Sequence, residues 1–535
     1  MQGLAAFLDD FMGGLILVSL SVTVGGVAWG LVVLRAGAEG RELLQRCLAL
    51  MRKGAFALAA AQTIRILAKA GVVAASLDQF PWTEYAATAQ FQASVARVVL
   101  ALVLALCAGL PVRTRNGWAV LSALALALMV SGAWLVHGAG RLEARAPLMA
   151  LTVLHQLGAA VWVGSVIQLL ALWRHSRATA LQAFWPLAIT RFAAIGMAAV
   201  ALLVATGIVL AWRYVGSWPG MLGTGYGSLV LAKTWLLAVA LALAALNFSA
   251  GRRWLLDRDS RAITRRVPFQ VEAEAFLLVG LLFLAASVSS QPPATDIPDL
   301  TAGIPEVVQM FAPKRPALST PAHNTYLTDE AARSALAGKP PSVAGTQWSD
   351  YNHNIAGLFL TAMGVVALLS YARGFSWARF WPSGFMALSV FLFFRSDAET
   401  WPLGPIGFWH STLGDTEVLQ HRMATVLAFA LGALETRSRA LTRARLRFAF
   451  PILCAFGGIL LVTHAHAPFE IKRDYLIQST HLAMGLLALI MAAGRWLELR
   501  FGDAGLKVES KTAGIIAVTA MLLIGLILVF YREPL

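Results

Sequence analysis

The stretch LAITRFAAIGMAAVALLVATGIVLAW (residues 187–212) decides the class of fold. From Phe192 to Trp212 it carries no charged side chain. At 1.5 Å per residue that run is about 30 Å long, the thickness of a bilayer's hydrocarbon core. Lipid offers backbone amides and carbonyls no partner, so such a run spans only as a helix. Reading outward, similar stretches lie near 11–34, 54–77, 91–111, 117–137, 147–173, 227–250 and 267–289. After a polar break they resume near 355–372, 380–395, 416–434, 448–464, 475–494 and 512–531. The expectation is an all-α polytopic membrane protein with about fourteen transmembrane helices. Composition agrees: the 535 residues are 58% hydrophobic and 13% charged, against about 25% charged in a soluble protein. That excludes a cytosolic enzyme, a secreted domain and a disordered chain. The cysteines Cys47, Cys107 and Cys454 are too scattered for a disulfide framework or a cysteine metal cluster. With no CxxC, Walker A loop or GxGxxG opening a βαβ unit, no nucleotide-driven engine is visible.

Lysine and arginine set the orientation. With both termini outside, every inner loop is basic, from Arg35, Arg41, Arg46, Arg52 and Lys53 to Arg495, Arg500, Lys507 and Lys511. The formal charge of +15 is thereby explained by topology and needs no nucleic acid. Residues 290–354 are polar and rich in proline, including Pro292, Pro293, Pro340 and Pro341. They divide the chain into an eight-helix half (1–294), a periplasmic loop (295–352) and a six-helix half (353–535). Within the loop, Thr328–Leu336 reads as a short capped helix and the rest as irregular.

This topology puts every histidine except His175 outside or in the outer part of a helix. An interfacial taste for imidazole predicts both faces equally, whereas a metal or haem function predicts one. His155 lies about 12 Å down its helix from Pro147 and shares a face with Ala159 and Trp162. His137 closes the preceding helix on the same side. In the second half Glu417 and His421 stand at i, i+4. His464 and His466 share a ligand only if their helix ends there, and Pro468 is placed to end it. His481 sits about two turns into the next helix, in the same shallow layer. His353, His410 and His323 read instead as loop or interface residues. Imidazoles with an occasional carboxylate suit copper or zinc. Met12, Met149, Met363 and Met423 read as core. Inside the spans, Arg65 and Lys69 (i, i+4, mid-membrane) and Lys233 need carbonyl, carboxylate or water partners, as a transport path or as structural hydrogen-bonders.

The run Val153-Leu-His-Gln-Leu-Gly-Ala-Ala-Val-Trp-Val-Gly-Ser165 resembles the histidine signature of the CopD/PcoD copper-resistance membrane proteins. Arg191-Phe192 with Leu203 and Thr206-Gly207 resembles that family's next helix. Thr224-Gly-Tyr-Gly-Ser228 with Lys233 and Asn247 resembles its YG…K…N helix, and Glu272 or Glu274 with Pro292-Pro293-Ala294 its closing helix. The likeness covers roughly residues 10–294. The family often carries a Ser/Thr-Gly-His-Ala turn; here the order is Val136-His137-Gly138-Ala139. The resemblance implies copper handling, as Cu+ or Cu2+, at the bacterial inner membrane, with a periplasmic CopC-type protein feeding the outer face. The expected ligands are His137 and His155 in the first half, and His421, His464, His466 and His481 in the second. Arg65, Lys69, Lys233 and Glu417 are path or bracing charges. The alternative is a b-type haem or quinol-linked redox protein, with His421 and His481, or His155 and His137, as axial ligands.

Overall fold

The computed structural model describes residues 2–35, 40–76, 80–110, 115–176, 184–259, 261–334, 342–441, 446–463 and 471–534. Among them there is no strand, only an isolated bridge between Thr400 and Ile406. The helices are, in order, α1 (Gln2–Ala28), α2 (Arg41–Ser76), α3 (Trp82–Ala87), α4 (Ala89–Gly109), α5 (Arg115–Ala133), α6 (Arg145–Ser176) and α7 (Phe184–Tyr214). There follow α8 (Trp218–Gly223), α9 (Gly225–Asp257), α10 (Arg261–Arg265), α11 (Val267–Val288), α12 (Ile304–Phe311), α13 (His323–Ser334) and α14 (Val343–Leu369). The last are α15 (Gly384–Arg395), α16 (Phe408–Gly414), α17 (Thr416–Leu441), α18 (Ala449–Val462), α19 (Ile471–Asp503) and α20 (Lys507–Val529).

Among the described residues, 11 helices are long and apolar enough to cross a membrane. All eight stretches expected before the polar break are of this kind, as are α14, α19 and α20. The other three expected spans are helical but differ. α15 is 12 residues long, about 18 Å, and is short of a bilayer core. α18 has 14 residues. α17 is long enough but carries Glu417, Arg422, Glu435, Arg437 and Arg439. The polar break also holds more helix than expected. α12 and α13 form within it, α13 starting five residues before the expected Thr328. α14 begins at Val343, twelve residues before the expected start at 355.

The chain forms two compact units. One comprises residues 8–216 and 235–295, the other residues 1–7, 217–234 and 296–535. In the first unit α1 meets α6 where both lack a side chain. A Cβ on Gly164 would lie 1.8 Å from the Ser21 carbonyl oxygen, and one on Gly25 2.6 Å from that of Ala160. In the second unit α14 and α20 do the same with Gly357 and Gly525: a Cβ on Gly357 would lie 2.3 Å from the Val529 amide nitrogen. Small residues let membrane helices approach backbone to backbone, where dispersion replaces the missing hydrophobic drive. The Thr224-Gly-Tyr-Gly-Ser228 motif is also built for close approach. Thr224 accepts the Gly227 amide at 3.0 Å and starts α9, while the Gly223 carbonyl accepts from Ala302 at 2.8 Å.

Candidate functional site

In the first unit α6 presents His155 to α7. Its Nδ1 donates to the Leu203 carbonyl at 3.1 Å and lies 3.1 Å from Thr206 Oγ1. Thr206 spends its own proton on the Leu202 carbonyl at 2.6 Å. A Cβ on Gly207 would stand 3.1 Å from His155 Cε1, so this glycine makes room for the ring. The arrangement fixes the tautomer with the lone pair on Nε2, as a second shell fixes a ligating histidine. His137 is held elsewhere: its Nε2 donates to the Val288 carbonyl at 3.3 Å at the end of α11. Each histidine therefore takes its orientation from a different helix.

Two further polar groups meet in this unit. Asn247 on α9 donates to Glu274 Oε2 on α11 at 3.0 Å, and both are buried. Of the two carboxylates proposed from sequence, it is Glu274 that meets the asparagine. Arg65 donates from Nε to Asp9 at 2.8 Å, and Lys69 approaches the same carboxylate at 3.8 Å. Asp9 lies in the first turn of the span Phe7–Val33, so Arg65 is level with that end of the span. The partner is a carboxylate on another helix, which spacing along α2 cannot reveal. Arg97 on α4 was not anticipated. It is 3% exposed, with Nε and Nη2 unpaired, and packs where Gly132 leaves space beside Gln156.

In the second unit α14 and α19 bring His353 and His481 together. The rings stand edge to face, 5.8 Å between centroids. Tyr531 lies 4.2 Å from His353 and 6.4 Å from His481. Both imidazoles are oriented by their own helix: His353 Nδ1 donates to the Ser349 carbonyl at 2.9 Å, and His481 Nδ1 to that of Ile477 at 3.0 Å. Each again carries its lone pair on Nε2. Glu533 ties this corner together, accepting from Ser349 Oγ at 2.7 Å and from Tyr531 at 3.2 Å. His481 was expected as a ligand and His353 as a loop or interface residue; the structure places the two rings side by side.

The remaining expected residues lie as follows. His421 Nδ1 is 2.8 Å from Asp397 Oδ1. Glu417 stands in the first turn of α17, its amide donating to Asp415 at 2.8 Å. Lys233, half-buried on α9, makes no ion pair among the described residues. His464 and His466 lie outside the described residues. His323 Nε2 donates to the Ala398 carbonyl at 2.9 Å, and its ring stacks on Tyr326 and lies tilted beside Trp348. Among the described residues no group of three or more His, Cys, Asp or Glu side chains is close enough to hold a metal ion.

Beside Asp397, Tyr326 donates to Glu399 Oε2 at 2.5 Å. Burial raises the Glu399 carboxyl above its ordinary value, and burial and Glu399 together raise the Tyr326 phenol. The folded chain thus holds the Glu399 proton more tightly than the unfolded one does. That contribution is full below the unfolded value and is lost as pH rises through the folded one. Glu399→Gln, which keeps an acceptor for Tyr326, is expected to raise the melting temperature at pH 7 by about 2–4 °C and to leave it unchanged at pH 4. An equal shift at both pH values would show that ionisation is not the cause.

Eleven apolar spans among the described residues define an all-α multi-pass membrane protein. Residues 186–288, from the first turn of α7 to the end of α11, match the family described as copper resistance protein D, and in that segment the chain is similar to CopD-type copper-resistance proteins. No curated protein and no solved structure matches it.

Proposed function

We propose that the chain binds copper through histidines and carries it across the bacterial inner membrane. The observation that carries this reading is His155. Its ring is held by Leu203 and Thr206 and accommodated by Gly207, all three within the segment that matches the copper-resistance family. That build serves a ligand whose Nε2 must be aimed. Copper is the substrate, captured at the periplasmic face with a CopC-type protein as donor. His137 is a second contact in the half formed by residues 1–294. Residues 353–535 supply further ligands: His481, beside which His353 stands, and separately His421, with His464 and His466 as the remaining candidates. The family match gives the haem alternative no support.

The test is His155→Ala in cells and in purified protein. Copper-dependent growth and cellular copper are expected to shift toward those of a strain lacking the chain. Thr206→Val, which removes the hydroxyl but not the ligand, is expected to weaken copper binding by about 10-fold. Copper binding and copper tolerance that both survive His155→Ala would sink the reading.

A further inference from the structure

Cys47 and Met51 stand one turn apart on α2, with Sγ 4.0 Å from Sδ. Both are buried, and the thiol donates to the Gly26 carbonyl of α1 at 3.4 Å. A Cβ on Gly26 would lie 3.0 Å from Met51 Sδ and 3.0 Å from Gln168 Nε2. Two sulfurs from α2 and an amide from α6 therefore converge where α1 has no side chain. Gln168 is 3% exposed and its Nε2 has no hydrogen-bond partner. A small cavity lined by Trp29, Leu43, Arg46, Cys47, Gln168 and Leu172 adjoins the group, and Arg46 at its edge is exposed.

A buried cysteine ordinarily packs as a small hydrophobe. That account leaves Gln168 unexplained, because a buried donor is normally paired. Cys47 lines the same cavity as Gln168, and a thiolate there would offer the amide an acceptor. Thiolate with thioether is the donor pair that selects Cu(I). Two metal–sulfur bonds of about 2.3 Å meeting at roughly 120° span about 4.0 Å between the sulfurs, the separation observed here. We propose that Cys47 and Met51 bind one Cu(I) ion, with Gln168 donating to the Cys47 sulfur. Binding forms the Cys47 Sγ–Cu bond, breaks the S–H bond and releases that proton through the cavity; copper stays Cu(I) throughout. The site lies at the end of α1 and α2 that the lysine and arginine distribution assigns to the cytoplasm, opposite the side it assigns to His137 and His155. It rests on the copper reading above and names where the ion arrives.

The test uses the purified full-length protein under anaerobic conditions. Cu(I) is titrated against a chromogenic Cu(I) chelator, and X-ray absorption at the copper edge reads the ligands. Wild type is expected to show sulfur scattering near 2.3 Å, as in other metal–thiolate bonds. Cys47→Ser should lose that signal, Met51→Leu, which keeps the packed volume, should weaken the site at least tenfold, and Cys107→Ser should change nothing. Gln168→Leu should weaken it by about 10–100-fold. Sulfur scattering retained in Cys47→Ser, or wild-type affinity in Met51→Leu, overturns the proposal. If His155→Ala or His481→Ala loses copper while Cys47→Ser does not, only this site is wrong. If wild type takes up no Cu(I), the copper reading fails with it.

Discussion

Alanine at His353 or at His481 is expected to lower copper affinity at their shared corner by at least about 100-fold, since even partners of a ligand cost 10–100-fold when removed. The expectation follows from geometry. The rings face each other at 5.8 Å from two different helices, each with Nδ1 committed to a carbonyl. Removing either leaves one imidazole at a corner where two stand. Competition titration on purified protein reads the effect. Tyr531→Phe is the control, because it keeps the ring that packs on His353 and removes only the hydroxyl. If both alanine variants bind like wild type, this corner is packing, not a site. If only His481→Ala loses affinity, His353 is a neighbour and not a ligand.

Gly164→Leu is expected to abolish the first unit altogether. A Cβ there already falls 1.8 Å from a backbone oxygen of α1, far inside contact distance. Backbone cannot step aside as a flexible side chain does, so α1 and α6 must separate. Overpacking costs about 1–3 kcal/mol where side chains can give way, and more where they cannot. The measurement is the yield of monodisperse protein in detergent, with Gly196→Leu as the comparison: a Cβ on Gly196 meets only Phe192, at 3.5 Å. Equal yields for the two variants would show that the α1–α6 crossing does not hold the unit together.

The apolar helices were legible because length and hydropathy are local. α7 was read from its own 26 quoted residues. The start of α14 was not, since Asp350, Asn352 and Asn354 look like loop. They are polar because they serve distant backbone: Asn354 donates to the Leu528 and Tyr531 carbonyls, and Asp350 accepts from the Glu533 amide. His155 was found because its helix and its room-making Thr206-Gly207 both lie in a recognisable motif. His353 was passed over because nothing local shows that α19 will deliver His481 beside it. The carboxylate of Asp9 was missed for the same reason: Arg65 and Lys69 announce a need for a partner, but only tertiary structure supplies it. Gln168 carries no sequence signal at all; its unpaired amide becomes visible only when Gly26 and Met51 surround it.

The two histidines of the second unit differ from His155 in what steadies them. His155 depends on a neighbouring helix and on the Thr206 hydroxyl, so errors at Thr206 or Gly207 can disable it. His353 and His481 lean on carbonyls one turn back in their own helices. A main-chain oxygen has no codon of its own. The aim of these rings is therefore inherited with the helix, and most single substitutions around them leave it intact. Genetic drift can erode the setting of His155 through its supports, but that of the His353–His481 pair chiefly by changing the imidazoles or by breaking the helices that carry them.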